Sequence, residues 1–229
     1  SEMCIRDRKM GYDLLVSTQP PGEEELEVYR FNVETNRVDG FVLIRVRSTD
    51  PRIDYLRSVD FPFVAFGRVD GISDFPFIDQ DGEYGMGLVI DHLHELGHKE
   101  IAVIASPPEF TFTQHRLRGV RSRLAAHNLE LSQERLRTGD LTQRGGYLQA
   151  QALLALPKPP SAIVAFNDLM AIGAMSAALD RGVKVGRDIS ITGFDDITMA
   201  EHSYPSLTTL HQHVYSIGQR TCEMLVDIL

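Results

Sequence analysis

The pattern with the most familiar chemistry is His94-Glu95-Leu96-Gly97-His98. Two histidines four apart on one helical face, with a glutamate between them, hold zinc and supply a general base in metallohydrolases. That chemistry needs an unbroken helix. Here Gly97 falls where a helix ends on a C′ glycine, and Lys99–Ala105 reads as the next strand, so His98 belongs to the turn. The competing reading is a helix C-terminus with a histidine beside its last carbonyls, where the dipole favours a cation. No third-ligand pattern follows, and the expectation is that no metal is bound.

Other chemistry-bearing residues are more scattered. Asp195-Asp196 follows an apolar run and Gly193-Phe194. Such a carboxylate pair can do acid–base work, cap a helix, or accept hydrogen bonds from a polyol, and Asp196 is the better cap. Arg116 stands near the start of a helix, where the dipole disfavours a cation, which points it toward a site; Arg118, Arg121 and Arg123 read as a solvated face. Met170, Ile172 and Met175 read as core. The sequence has no G-x-S-x-G elbow and no phosphate-binding G-x-x-x-x-G-K-[ST] loop, and Gly82, Gly85 and Gly87 lack dinucleotide spacing. Nothing proposes a nucleophile or a cofactor, and the chain is not expected to be an enzyme.

The elements that must position these residues alternate. Near-continuous apolar runs at Tyr12–Val16, Phe41–Ile44, Phe63–Phe66, Ile101–Ala105, Ile163–Phe166 and Ile189–Thr192 predict parallel strands buried on both faces. Between them, helices are predicted from Asp50-Pro51, from Asp81 to Gly97 with Leu88, Leu93 and Leu96 near one stripe, over Gln114–His127, over Gly145–Leu156, from Asn167-Asp168 to Gly182, and over Val214–Leu229. This order implies an α/β fold with right-handed crossovers. Ligands of such sheets bind just past the carboxyl ends of the strands. Those positions hold Ser17-Thr18-Gln19, Arg45, Gly67-Arg68, Ser106-Pro107, Asn167-Asp168 and Asp195-Asp196.

Composition sets outer bounds. The chain has 229 residues, 43% hydrophobic and 24% charged, which excludes a disordered chain. No apolar run approaches the roughly 18 residues of a membrane span. With 23 Lys+Arg against 32 Asp+Glu, the net charge of −9 argues against nucleic-acid binding by this chain alone. Two distant cysteines, Cys4 and Cys222, make no disulfide framework, so a reducing compartment is expected. Residues 1–8 (SEMCIRDR) have no apolar periodicity and read as a non-native leader, and the last apolar helix pattern runs to Leu229, as in a fragment.

Several motifs together resemble the lactose/galactose-repressor family of bacterial transcription regulators. They are Phe166-Asn167-Asp168-Leu169-Met170-Ala171-Ile172-Gly173-Ala174, Val185-Gly186-Arg187-Asp188-Ile189-Ser190-Ile191-Thr192-Gly193-Phe194-Asp195-Asp196 and Pro205-Ser206-Leu207-Thr208-Thr209-Leu210-His211-Gln212. Val38-Asp39-Gly40-Phe41-Val42-Leu43, Leu96-Gly97-His98-Lys99-Glu100-Ile101-Ala102 and Arg116-Leu117-Arg118-Gly119 fit the same pattern. The similarity runs over about residues 9–229.

The resemblance implies a periplasmic-binding-protein-like fold of type I: two Rossmann-like lobes of parallel sheet with helices on both faces and a small effector held between them. One lobe would be residues 9–76 with 213–229, the other 77–208, with 209–212 as crossover. It also implies a helix-turn-helix headpiece and a first strand and helix that this sequence does not contain. The implied function is effector sensing by a cytoplasmic, homodimeric regulator that meets operator DNA only through that headpiece, with no membrane contact. The alternative is a periplasmic sugar-binding protein of a transport system, which shares the fold.

Carried over position by position, Arg116 matches an arginine that holds effector polar groups, Asn167 an amide contact, Asp195 a carboxylate for sugar hydroxyls, and Gln212 a crossover contact. Arg45 and Arg68 sit at strand ends of the first lobe. Phe66, Phe77 and Leu141 would be apolar walls. Relatives often carry an aromatic where Leu141 stands, which weighs against ring stacking there and toward a neutral mono- or disaccharide rather than a nucleobase.

Overall fold

The computed structural model describes residues 11–18 and 22–229. Residues 1–8, Cys4 and Gln19 lie outside the described residues. The chain divides into two compact units, one of the residues up to Gln80 together with His213–Leu229, the other Asp81–Gln212.

The first unit carries a parallel sheet of β1 (Phe41–Leu43), β2 (Phe63–Phe66) and β3 (Phe77–Ile78), in that order. Phe77 pairs with Ala65, so 77–80 group with this unit. Helices α1 (Glu23–Glu34) and α2 (Pro51–Ser58) precede and follow β1. Helix α2 starts as its sequence dictates: Asp50 is the N-cap, accepting from the Arg52 amide, and Pro51 fills the first turn where no amide hydrogen is needed. Leu43, Ile53, Leu56, Phe63, Ala65 and Phe75 form the core.

The second unit has a four-stranded parallel sheet in the order β5 (Leu136–Thr138), β4 (Ile101–Ala105), β6 (Ala162–Ala165), β7 (Ser190–Thr192). Strand β4 is buried at every residue, which is why its run IAVIA has no polar alternation. Around this sheet lie α3 (Gly82–Glu95), α4 (Thr111–Ala126), α5 (Gln143–Leu154), α6 (Asp168–Asp180) and the short α7 (Thr198–His202). Helices α3 and α4 pack as one pair, α5 and α6 as another. In the first unit α8 (Val214–Ile228) packs on the three strands.

Glycines set how closely the pairs approach. A Cβ on Gly119 would fall on the backbone of Glu83, one on Gly146 on the backbone of Met170, and one on Gly173 on the carbonyl of Gln143. These helices therefore touch backbone to backbone.

Several expectations need correction. Tyr12–Val16 forms no strand; Leu14, Leu15 and Val16 are exposed and have no ladder partner among the described residues. Leu88 and Leu96 are exposed too, and the buried face of α3 is Met86, Val89, Ile90 and Leu93. Helix α4 begins three residues before Gln114. Asp196 caps no helix: α7 has Ile197 at its N-cap and no side-chain cap, while the Asp196 carboxylate pairs with His211 Nδ1 at 2.7 Å. The helix Glu23–Glu34 and the strands Phe77–Ile78 and Leu136–Thr138 are absent from the sequence reading.

The His94–His98 pattern resolves as two separate arrangements. Helix α3 ends at Glu95, and Gly97 has φ 87°. His94 stacks on His127, with ring centroids 3.9 Å apart. His98 ties two strand beginnings together, Nδ1 lying 3.0 Å from Ser161 Oγ and Nε2 2.8 Å from Ser190 Oγ. Among the described residues no group of three or more His, Cys, Asp or Glu could hold a metal ion, and no helix is long and apolar enough to cross a membrane.

Candidate functional site

The order β5-β4-β6-β7 places a topological switch point between β4 and β6, because the chain leaves β4 toward one edge and β6 toward the other. Parallel sheets collect ligands outside the carboxyl ends at such a point. Arg116 bridges it. It comes from α4, which follows β4, and its Nη1 donates to the carbonyl of Phe166, the residue just past β6.

Arg116 is 6% exposed, and its guanidinium lies over two aromatic rings. The centre of the group is 3.6 Å from the Phe194 centroid and 5.0 Å from that of Phe112, one helical turn earlier. Phe112 stacks on Phe110 at 5.3 Å with planes 8° apart. Stacking of this kind covers the faces of the guanidinium and leaves its in-plane N–H donors directional.

Asp195 stands on a bent backbone. Its φ is 127° and that of Asp196 is 59°, conformations that L residues hold only when neighbours enforce them. The enforcing segment is 208–212. Gly193 N–H donates to Thr208 at 2.9 Å, and Asp195 N–H to the Leu210 carbonyl at 3.0 Å. Gln212 closes the loop by donating its Nε2 to Asp195 Oδ1.

Behind Asp195 sits the fully buried Asp168, which accepts from the Ile197 amide at 2.8 Å and from Thr209 Oγ1 at 2.5 Å. Burial pushes the Asp195 carboxyl up to about 6; Arg116 and Gln212 pull it down and Asp168 pushes it up. Asp195 thus titrates far above an ordinary aspartate.

The remaining expected site residues divide. Asn167 is 8% exposed and committed at both ends: Oδ1 accepts from the Met170 amide at 2.9 Å as the N-cap of α6, and Nδ2 donates to the Leu141 carbonyl at 3.0 Å. Leu141 has φ 69° and packs against the core of its unit. Arg116, Asn167, Asp195, Gln212 and Leu141 all belong to the second unit.

In the first unit, Arg45 is exposed two residues past β1, and Arg68 Nη1 pairs with Asp79 at 3.3 Å. Phe66 ends β2 half-buried. Phe77 packs against the core, edge-on to Phe75 at 6.0 Å.

Sequence reasoning placed Asp168 at a strand end but missed the roles of Phe112 and Phe194. The signal for Phe112 was available, since an aromatic four residues before an arginine on one helix can meet it.

Comparison with known proteins places this geometry. Residues 90–229 match the family described as periplasmic binding protein-like domain. The HTH-type transcriptional repressor CytR of Escherichia coli (strain K12) is 31% identical over 218 residues, 95% of this chain; the chain spans 64% of that relative's length. A regulatory protein of the LacI family from Chloroflexus aggregans superposes with a TM-score of 0.86 at 34% identity, covering 99% of this chain and 81% of that one. The complex of the transcriptional regulator CelR with cellobiose superposes with a TM-score of 0.91 at 28% identity, covering 98% and 69%. The chain belongs to the LacI family of transcriptional regulators and carries its periplasmic-binding-protein-like effector domain.

Proposed function

We propose that this domain binds a neutral mono- or disaccharide past the carboxyl ends of its strands and so controls operator binding by a helix-turn-helix headpiece of the full protein. The full protein is a cytoplasmic homodimer and not an enzyme. The observation that carries the ligand class is the pairing of Arg116, a buried forked donor, with Asp195, a half-buried acceptor, on opposite sides of the switch point. A sugar offers hydroxyls that accept from the first and donate to the second, while its C–H faces pack on rings such as Phe112. The cellobiose complex of a relative supports the same class. In the first unit, Arg45, Arg68, Phe66 and Phe77 are the residues assigned to the effector.

Calorimetry of the full-length protein against a panel of sugars and purines tests this. One sugar binds, and Asp195→Ala and Arg116→Ala each cost about 1.5–3 kcal/mol, the range for hydrogen bonds to charged groups. Binding of purines alone refutes the sugar assignment, and a sugar affinity unmoved by either substitution refutes the residue assignment.

A further inference from the structure

Arg45 adopts φ 54° two residues past β1, a left-handed conformation that costs a non-glycine residue free energy unless something enforces it. Arginine has no short side chain to bond its own backbone there, as asparagine would. The enforcing group is Arg52. Its Nη2 lies 3.3 Å from the Ile44 carbonyl and 3.2 Å from the Arg45 carbonyl. These belong to the two peptide planes that bracket the Arg45 Cα, and their relative rotation is the φ and ψ of Arg45. One N–H of that nitrogen, the one not given to Asp50, is shared between both carbonyls.

Arg52 is itself fixed. It is 5% exposed, and it holds Asp50 through Nε at 2.9 Å and Nη2 at 2.7 Å. Its Nη1 lies 3.4 Å from Glu25 of α1. Asp50 accepts from the Arg47 amide at 3.1 Å, closing the far end of the same loop, and the Arg47 side chain pairs with Glu25 at 2.6 Å. The loop is thus tied from below at Ile44, Arg45 and Arg47. The Arg45 side chain is exposed and makes no hydrogen bond or ion pair with any described residue. A buried ion network holds a strained backbone, and that backbone presents one uncommitted guanidinium at the carboxyl end of a parallel strand.

We propose that Arg52 is a positioning residue that holds Arg45 in its left-handed conformation and so presents the Arg45 guanidinium to the effector. This rests on the effector reading above. Lysine at position 52 keeps the charge but not the fork, and cannot serve both Asp50 oxygens and both carbonyls.

The test uses the full-length protein and two readouts. In the ligand-free state, amide hydrogen exchange over residues 44–50 is measured for Arg52→Lys; it accelerates by roughly tenfold or more, as expected for loss of a charge-assisted hydrogen bond. Unchanged exchange overturns the proposal. In calorimetry with the sugar found by the panel, Arg45→Ala, Arg52→Lys and the double variant are compared. Arg52→Lys weakens binding, and the double variant binds no worse than Arg45→Ala, because Arg52 acts only through Arg45. Additive losses overturn the proposal. If no sugar binds wild type, the effector reading fails, and the exchange readout still decides the hold of Arg52 on the loop.

Discussion

Each unit sets a carboxylate within the field of a buried guanidinium, and the two arrangements differ. In the first unit Asp50 and Arg52 meet fork to fork, with Glu25 and Arg47 completing the network. Burial alone would push the Asp50 carboxyl up, but the hydrogen bonds and charge of Arg52 outweigh it and hold the carboxyl below the usual range. In the second unit Arg116 gives its Nη1 to a backbone carbonyl and its faces to Phe194 and Phe112. Asp195 has Gln212 as its hydrogen-bonding side chain, and burial leaves it at about 6. The first pair is spent on folding. In the second, Asp195 is bonded by an amide instead of a guanidinium fork, and its carboxyl stays raised.

The largest effect that could break this contrast is on stability. Removing one member of the matched pair, as in Arg52→Met, leaves a buried charge alone and costs about 3–5 kcal/mol in denaturant unfolding. Asp195→Asn costs far less, because the carboxylate it removes is poorly matched. Equal losses for the two would show that the pairs are alike.

The pH dependence sharpens it. A carboxyl raised in the folded state binds its proton more tightly there than in the unfolded chain. Asp195 therefore contributes stability below its unfolded value of 3.8, and this is lost as pH rises through about 6. The amplitude is up to about 3 kcal/mol. Asp50 runs the other way: its contribution is present above 3.8 and is lost as pH falls through its depressed value. Unfolding of wild type and Asp195→Asn from about pH 4 to about pH 7, across the Asp195 transition, separates the two, and only the variant lacks the decline toward neutral pH.

The smallest effect concerns the rings. Phe112→Leu keeps the apolar volume but removes one aromatic face from Arg116, and it weakens effector binding by about 0.5–1 kcal/mol in calorimetry. In an Arg116→Ala background the same change has no further effect.

The fold was legible where burial alone decides structure. Ile101–Ala105 reads as a strand because it is buried on both faces, and Asp50-Pro51 as a helix start because capping is local. It was illegible where pairing decides. Tyr12–Val16 has a strand's composition but no ladder partner among the described residues, and Leu136–Thr138 is a strand only because β4 lies beside it. Helix Glu23–Glu34 is mostly polar, so periodicity missed it, although three glutamates in its first turn suit the dipole.

At the site, the resemblance pointed to Arg116, Asp195 and Gln212, which the structure does bring to the switch-point end of one sheet. It gave no warning that Asn167 is occupied by its own helix and by Leu141. Nor could it show the rings around Arg116, since Phe112 and Phe194 are 82 positions apart in the chain and meet only in the fold.

The glycines between α5 and α6 carry a consequence for how this protein can vary. Asn167 and Asp168 open α6, and the depth at which that helix sits is set by Gly146 and Gly173 against its partner's backbone. A single methyl group at either position must push α6 outward, and the start of α6 moves with it. Inheritable defects in sensing will therefore arise at residues that never meet an effector, and alanine, the mildest replacement on a helix, will be among the most damaging there.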